Sequence, residues 1–466
     1  MARADRRTPL AVWAASAAFA AGFGALAVLR HRSFETGRFD LGNMVQAVWA
    51  TAHGHPLRVT NLNGEQVLRL GAHVDPVLML FAPLSWIWPS PSLLLVGQSV
   101  AIALGALPVY QLALKHIESR RAGIGFALAY LLYPPTTWLA LNEFHPGAIA
   151  MPALLYAFWY LDENRLAPFA AFALLAAICR EDIPLVLAGY GVWYALARGR
   201  RAVGATIAVT GVAWTTIAAG VIVPHFGRGQ GTFSGRYSEA RAALGDPLTL
   251  LRLAFDHAGA HYLLDLVLPL AGLCLLAPIA LAAVPALLLN LLSATPTQTS
   301  IHFHYTAAEI PPLIVAAVLG GARLRDRWRL PVATIAIAAA LGGNYLLGAI
   351  PVWRELPGGE TLQANVANVT AHDRVAARAL TLIPPHAVVS ATNSLGGHLS
   401  ARRRILSFPF VEDAKWIAVD ETRPGYADRL APLPTTVQVV WLRHNPAWRI
   451  VFEQDGVLVF KRVLPP

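Results

Sequence analysis

Long apolar stretches constrain the fold of this sequence more than any other feature. They repeatedly reach about 18 to 22 residues, the length an α-helix needs to cross the hydrocarbon core of a bilayer. Of the 466 residues, 56% are hydrophobic and only 14% are charged. Because one soluble core cannot bury that much apolar surface, the sequence predicts a mainly α-helical, polytopic membrane protein.

About eleven apolar segments are interpreted as transmembrane helices, of which several central ones are short for a full crossing. They are 10–29, 92–114, 122–141, 147–161, 167–179, 184–197, 202–223, 262–277, 279–294, 307–322 and 330–350. The first resembles a signal peptide but lacks a clear cleavage site followed by a soluble domain, so we interpret it as a retained span. The apolar stretch Pro76–Trp88 is expected to be re-entrant or interfacial, and the count is open by one pair.

The distribution of basic residues predicts the orientation of these spans, since cytoplasmic loops are enriched in Lys and Arg. With the N-terminus in the cytoplasm, most basic loop residues fall on the inner side. These are Arg3, Arg6, Arg7, Lys115, Arg120, Arg121, Arg165, Arg198, Arg200, Arg201, Arg323, Arg325, Arg327 and Arg329. This topology accounts for the net charge of +10 better than a nucleic-acid partner does, and none is expected.

Two extracytoplasmic regions follow from this topology. The first external loop, 30–90, contains the stretch Phe39–Trp49, whose apolar residues recur at helical spacing, as in a helix lying in the membrane interface. The chain therefore divides into a transmembrane domain, 1–350, and a soluble α/β domain, 351–466. The α/β assignment depends on a helical stretch at 366–382 and on strand-length apolar runs at 387–390, 416–419, 437–441 and 457–460.

Ionisable residues collect on the predicted external side. Such groups are costly near hydrocarbon unless they are paired, so a convergent set is a candidate functional site. The set comprises Asp40, His53, His55, His73, Asp75, Glu143, His145, Arg180, Glu181, Asp182, the loop 224–261 and the segment Gln298–Tyr305. We expect these residues to line one cleft.

Asp40 is the candidate catalytic base, because a carboxylate beside the bilayer surface can take the proton of an acceptor hydroxyl. The alternative is a first-turn helix acid. Three short patterns place a histidine two residues from a carboxylate or a second histidine, suiting a second base, a metal ligand or a structural hydrogen bond. They are His73 with Asp75, Glu143 with His145, and His302 with His304. Their spacing is a weak metal signal, so a divalent metal is left open.

Arg180-Glu181-Asp182 places three charges between apolar runs. It suits a bidentate grip on a phosphate, with a carboxylate orienting Arg180, although a loop cap explains part of the pattern. The Gly-rich segment Gly227–Tyr237, which includes Arg236, is as compatible with a flexible lid as with a phosphate cradle. Tyr237, His302, His304 and Tyr305 complete the candidate substrate-binding residues.

Several separated motifs resemble a bacterial family of membrane proteins catalogued as a domain of unknown function. They are Phe39-Asp40-Leu41-Gly42 with Gln46 and Trp49, His73 with Pro76, Phe144-His145-Pro146, Glu181-Asp182, and Val389–Asn393 with His398-Leu399-Ser400 and Arg402. The resemblance spans most of the chain and brings no established activity.

More distantly, the layout resembles the GT-C superfamily of glycosyltransferases, which use polyprenyl-phosphate sugars as donors. That resemblance implies that Asp40, in the first external loop, is catalytic. It also implies that basic residues of later loops hold the donor phosphate, a role matched by location in Arg180 and Arg236. The chain lacks the second acidic residue that many such enzymes carry beside the first, which puts a metal requirement in doubt.

These observations favour a glycosyltransferase of the bacterial plasma membrane that moves a sugar from a polyprenyl-phosphate donor to a cell-envelope glycan, lipid or protein. Asp40 is its expected base, assisted by His73, His145 and Glu181, and membrane lipids surround it. One alternative is a transporter or flippase, in which the same charges form a pathway; the absence of a repeat disfavours it. A non-catalytic envelope assembly protein is the other.

Overall fold

A computed structural model describes residues 7–227, 234–324, 327, 331–362, 368–425, 427–430 and 433–463. Over these residues the chain forms a helical bundle followed by a small α/β unit. Some features singled out in the sequence lie outside the described residues. They are Arg3, Arg6, Arg325, Arg329, most of the Gly-rich segment (228–233) and the start of the helical stretch predicted at 366–382.

Helices lie at all eleven segments predicted to span the membrane. The bundle contains Leu10–Arg32, Ser92–Leu104, Ala106–Ile117, Arg120–Leu132, Pro134–Leu141, Gly147–Asp162, Leu166–Ala177, Pro184–Ala197, Arg201–Ile217, Pro247–Ala254, His257–Val267, Val284–Leu291, Ile310–Ala322 and Pro331–Leu347. In the described part, three helices are long and apolar enough to cross a bilayer: Leu10–Arg32, Ser92–Ile117 and Arg201–Phe226. Counting the bent pair Arg120–Leu132 and Pro134–Leu141 as one span gives a fourth. Eleven crossings therefore stay a prediction.

Three segments are less regular than predicted, and one of them, 279–294, begins as the 3-10 helix Pro278–Ala283. The segment 122–141 bends by 50°; its break is at Tyr133, which is extended because a residue before proline avoids the helical conformation. In the segment 262–277 the α-helix ends at Val267 and continues as short 3-10 turns. Ala271 and Gly272 both adopt left-handed φ angles there, which no continuing helix tolerates.

Small residues allow the bundle helices to approach closely. The helices Pro184–Ala197 and Arg201–Ile217 pack along each other, and a Cβ atom on Gly191 would lie 2.6 Å from the carbonyl oxygen of Gly204. Glycine contacts of this kind are typical of helix pairs in membranes. They support a bundle built for lipid rather than for water.

Basic residues and the candidate site lie at opposite ends of the bundle. Lys115 contacts the carboxylate of Asp162 at 2.6 Å, and His116 and Arg198 bind the same carboxylate. Asp162 is the last residue of the helix Gly147–Asp162, whose first residue follows the candidate His145. The length of one helix therefore separates the two groups, as the charge pattern predicts.

The loop 30–90 forms the expected helix, Asn43–Ala52, which buries Met44 and Val48 with Leu41 in a small apolar cluster. The antiparallel strands β1 (Arg58–Thr60) and β2 (Gln66–Leu68) follow. The stretch Pro76–Trp88 forms a 3-10 turn, Pro76–Phe81, and a short α-helix, Ala82–Ile87. Its exposed Leu80, Trp86 and Ile87 suit a segment in contact with lipid.

The C-terminal unit is a five-stranded mixed sheet. Its strands are β3 (Val389–Ala391), β4 (Ile405–Ser407), β5 (Trp416–Asp420), β6 (Trp448–Gln454) and β7 (Val457–Arg462). They lie in the order β4-β3-β5-β7-β6, with β4, β3 and β5 parallel and the last two joined antiparallel. The helices Ala371–Leu380 and Asn393–Leu399 cover one face, and Thr435–His444 covers the other.

The run Val437–Trp441, predicted to be a strand, is instead part of the helix Thr435–His444. Thr435, Val439 and Leu442 are buried while Val437 and Trp441 are exposed, a spacing that follows a helix and not a strand. The prediction was wrong because β-branched composition outweighed this three- and four-residue periodicity.

Candidate active site

The candidate base lies on a short irregular turn between the helices Leu10–Arg32 and Asn43–Ala52. Arg38–Gly42 is one turn of π-helix, closed by a hydrogen bond from the Gly42 amide to the Gly37 carbonyl at 2.9 Å. π-turns of this kind occur frequently at functional sites. We call residues 37–42 the Asp40 turn.

A buried carboxylate holds the Asp40 turn from within the bundle. Glu143 accepts the amide hydrogen of Gly37 at 3.0 Å and that of Leu41 at 2.8 Å. These amides lie at the start of a helix, where no intrahelical acceptor is available. Burial and the charge of Asp40 raise the pKa of Glu143 to about 8, against the lowering effect of the amide hydrogen bonds. Glu143 therefore binds the backbone that carries Asp40.

His145 links this carboxylate segment to Asp40. Its Nδ1 donates to the carbonyl oxygen of Glu143 at 2.9 Å, which directs Nε2 towards Asp40 Oδ1, 3.4 Å away. A proton on Nε2 would make an imidazolium paired with Asp40. The side chain of Asp40 is 40% exposed, whereas that of His145 is 11% exposed.

The second histidine of the pair at 302 and 304 joins this group. The ring of His304 stacks on His145 with centroids 3.5 Å apart, and Tyr305 lies 4.2 Å from His304 on the same measure. Burial lowers the pKa of His304 well below its usual value, and the charges of His145, Arg180, His73 and Arg236 lower it further. Asp40, His145, His304 and Tyr305 therefore form one continuous group of contacts.

His73 and Glu181 form the next pair. His73 Nδ1 lies 3.0 Å from one carboxylate oxygen of Glu181, and the amide of Val74 donates to the other oxygen at 3.0 Å. Burial opposes ionisation of Glu181, but the charge and hydrogen bond of His73 outweigh it and lower its pKa to about 2. Glu181 is thus an ionised carboxylate that is already bound by neighbouring protein groups.

Arg180 and Asp182 form a bidentate ion pair. Nε and Nη2 of Arg180 each donate to one oxygen of Asp182 at 2.5 Å, and both side chains are largely buried. Although burial opposes the guanidinium charge, Asp182 raises the pKa of Arg180 above its ordinary value. Tyr237 is close by, since the charges of Asp182 and Arg180 act on its hydroxyl while burial raises its pKa.

Two candidates are engaged elsewhere. Asp75 does not pair with His73; it forms a buried ion pair with Arg69 at 2.7 Å, and Arg69 also donates to Asn43 at 2.8 Å. His302 contacts Ser300 at 2.9 Å and lies edge-on to Trp138, with Glu360 3.9 Å from its Nε2. Neither arrangement reaches Asp40. The described residues contain no group of three or more His, Cys, Asp or Glu arranged to hold a metal ion.

The C-terminal unit supplies residues to which sequence reasoning assigned no role. Asn393 Oδ1 accepts the amide hydrogen of Phe39, inside the Asp40 turn, at 2.9 Å. Arg38 reaches the same unit through Ser407 at 2.6 Å and the carbonyl oxygen of Ile405 at 2.8 Å. Asn393 belongs to one of the motifs that carry the family resemblance, and that membership was its only signal in the sequence.

Residues 30–459 match a family model described as "Predicted membrane protein (DUF2079)". The chain belongs to this family. Among curated proteins, none matches the sequence.

Two solved structures resemble the fold over nearly its whole length. The crystal structure of ArnT from Cupriavidus metallidurans bound to undecaprenyl phosphate is 13% identical, with a TM-score of 0.56, covering 96% of this chain and 97% of that chain. The apo state of ArnT is 14% identical, with a TM-score of 0.47, covering 91% and 93%. The first likeness establishes a shared fold and confirms the expected resemblance to the GT-C architecture.

Proposed function

We propose that this protein transfers a sugar from a polyprenyl-phosphate donor to a cell-envelope glycan, lipid or protein. The reaction takes place at the extracytoplasmic face of the bacterial plasma membrane. In this proposal the N-terminus is cytoplasmic, about eleven helices cross the bilayer, and the C-terminal unit is extracytoplasmic. The shared fold with ArnT, whose crystal structure holds undecaprenyl phosphate, supports the choice of donor class.

One observation carries the assignment of Asp40 as the base. The neighbouring carboxylates of Glu143, Glu181 and Asp182 each have protein partners within 3.0 Å. Asp40, by contrast, is 40% exposed and faces His145 at the longer distance of 3.4 Å. A catalytic base needs an accessible carboxylate whose lone pairs are not already used by strong hydrogen bonds. Asp40 meets that requirement best.

The proposed reaction is an inverting displacement. Asp40 takes the hydroxyl proton of the acceptor as its oxygen attacks the anomeric carbon of the donor sugar. The bond from that carbon to the phosphate oxygen breaks, and polyprenyl phosphate leaves with the bonding electrons. Arg180, held by Asp182, stabilises the charge that develops on the departing phosphate, and Arg236 is proposed to assist it. His145 can then accept the proton from Asp40.

Asp40→Asn tests the base assignment. In membranes supplied with a radiolabelled polyprenyl-phosphate sugar, we expect a loss of transfer of about 100-fold or more, because general-base catalysis contributes about that factor. Glu163→Gln, the same change at the opposite end of the bundle, serves as the control and should retain transfer. If Asp40→Asn transfers sugar at the rate of the control, the base assignment is wrong.

Arg180→Lys tests the phosphate contact in the same assay. A lysine keeps the charge but not the two parallel hydrogen bonds to Asp182, so the Michaelis constant for the donor should rise. An unchanged Michaelis constant with a normal rate would remove Arg180 from the site.

A further inference from the structure

The C-terminal unit packs directly against the Asp40 turn through the helix Asn393–Leu399. Glycines on both sides permit this close approach. A Cβ atom on Gly37 would overlap the amide of Asn393, and one on Gly42 would overlap the hydroxyl of Ser400. On the facing helix, a Cβ atom on Gly396 would come within 2.9 Å of the Arg38 side chain. The glycine backbone of each element therefore packs against side chains of the other, with little room for adjustment.

Asn393 is itself rigidly held. It follows β3, an inner strand that pairs on both sides, with β4 and β5. The backbone amide of Asn393 donates to one carboxylate oxygen of Asp428 at 2.8 Å. The other oxygen of Asp428 accepts the backbone amide hydrogen of Gly425 at 2.7 Å. Because the backbone of Asn393 is held in this way, its side chain can keep a bound group at a defined position relative to the sheet.

Further bonds fix the docking of the whole unit. The side-chain amide of Gln46 donates to the carbonyl oxygens of Arg402 and Arg403 at 3.3 and 3.1 Å. His398 donates to the carbonyl oxygen of His31 at 2.9 Å, and Phe34 packs into the apolar core beneath the sheet. The C-terminal unit and the Asp40 turn therefore form one continuous structure.

We infer that Asn393 is a positioning residue for Asp40. Glu143 binds the amides of Gly37 and Leu41, and Asn393 binds the amide of Phe39 between them. The two side chains come from different parts of the chain and fix alternating amides of one turn. We call these three hydrogen bonds from the turn to Glu143 and Asn393 the clamp. Its role in catalysis rests on the proposed function, whereas the hydrogen bonds themselves do not.

Hydrogen exchange of the full-length protein in lipid nanodiscs tests the clamp without reference to activity. Asn393→Leu, which is close in size and lacks the acceptor, should accelerate exchange in the peptide covering 37–42. Asn393→Asp keeps an acceptor oxygen and should preserve protection. Asn445→Leu is the matched control, because Asn445 likewise accepts one backbone amide, that of Ala447 at 3.0 Å, at a distance from the turn in the same unit. Unchanged exchange in Asn393→Leu would overturn the inference.

Gly37→Ala approaches the same contact from the other side. Its Cβ atom would displace the Asn393 amide, while the backbone φ of −116° at Gly37 is ordinary for alanine. We expect the same faster exchange in 37–42. This variant keeps the test decisive if Asn393→Leu fails to fold.

Sugar transfer then connects the clamp to catalysis. Asn393→Leu should lower kcat roughly 100-fold, as expected for a reacting group displaced by about 1 Å, with little change in the Michaelis constant for the donor. Asn393→Asp should recover much of kcat but move the acidic limb of the pH–rate profile upward, because a second carboxylate lies beside Asp40. A wild-type protein that transfers no sugar would refute the proposed function, while the exchange data would still decide the clamp.

Discussion

Replacement of Glu143 by alanine is the perturbation that most directly tests how the Asp40 turn is held. The variant removes the acceptor of two backbone amides, those of Gly37 and Leu41. Leu41 is fully buried, so water does not readily replace the lost partner. An unsatisfied buried donor costs about 1 to 3 kcal/mol, so the turn should lose about 2 to 6 kcal/mol of local stability.

Glu143→Gln tests whether one acceptor oxygen is enough to hold the turn. Glutamine keeps one acceptor oxygen, but its NH₂ group would face a second amide donor. We therefore expect roughly half the loss caused by alanine. Glu163→Gln makes the same chemical change elsewhere and is the control. Glu163 follows the helix Gly147–Asp162 at its far end, where it pairs with Lys115.

Two measurements check the expectation. Exchange in the peptide 37–42 should become at least about tenfold faster in Glu143→Ala, since 1.4 kcal/mol corresponds to a factor of ten. Sugar transfer should fall in kcat by roughly 100-fold, because the base is displaced while the donor contacts persist. Wild-type exchange together with wild-type kcat in Glu143→Ala would refute the reasoning.

Two further predictions concern the docked C-terminal unit and the topology. Burial and the neighbouring His31 lower the pKa of His398 well below its usual 6.5, so the neutral ring stabilises the fold above that pH and the contribution is lost as the pH falls below it. The thermal unfolding midpoint should therefore drop when the pH is lowered from above 6.5 to below it. The variant His398→Phe keeps an aromatic ring between His31 and Phe34 and should show a smaller drop. An equal drop in the two proteins would contradict this. Cysteine introduced at Glu453 should react with an impermeant maleimide in intact cells, whereas cysteine at Arg200 should react only after permeabilisation, and the reverse pattern would invert the topology.

The sequence predicted the positions of the bundle helices well, because each apolar segment has strong hydropathy and is bounded by polar loops. It predicted the ends of those helices less well. The break at Ala271 and Gly272 depends on backbone angles that apolar composition does not reveal. The helix around Val439 was mistaken for a strand because short apolar runs are ambiguous between the two structures.

The residues of the candidate site could be predicted from the sequence, but the contacts between them could not. Charge asymmetry predicted that Asp40, His145 and His304 lie at one end of the bundle, and in the structure His145 contacts both Asp40 and His304. The local pairing of His73 with Asp75, however, is replaced by a contact to Glu181, which is 108 residues away in the chain. Such partners are decided by tertiary packing, which sequence spacing does not report.

The polarity of the bundle explains why an anionic donor would be received at this end. The helices Gly147–Asp162 and Pro184–Ala197 begin two residues after His145 and Asp182, and Ile310–Ala322 begins five residues after Tyr305. The amino end of a helix carries a partial positive charge. Of the nearby carboxylates, Glu181 and Asp182 are engaged by His73 and Arg180, and burial raises the pKa of Glu143 to about 8, which reduces its charge. A phosphate arriving beside Arg180 would therefore be attracted by three helix ends as well as by the guanidinium, whereas the opposite helix ends, near Asp162, are already compensated by Lys115 and Arg198.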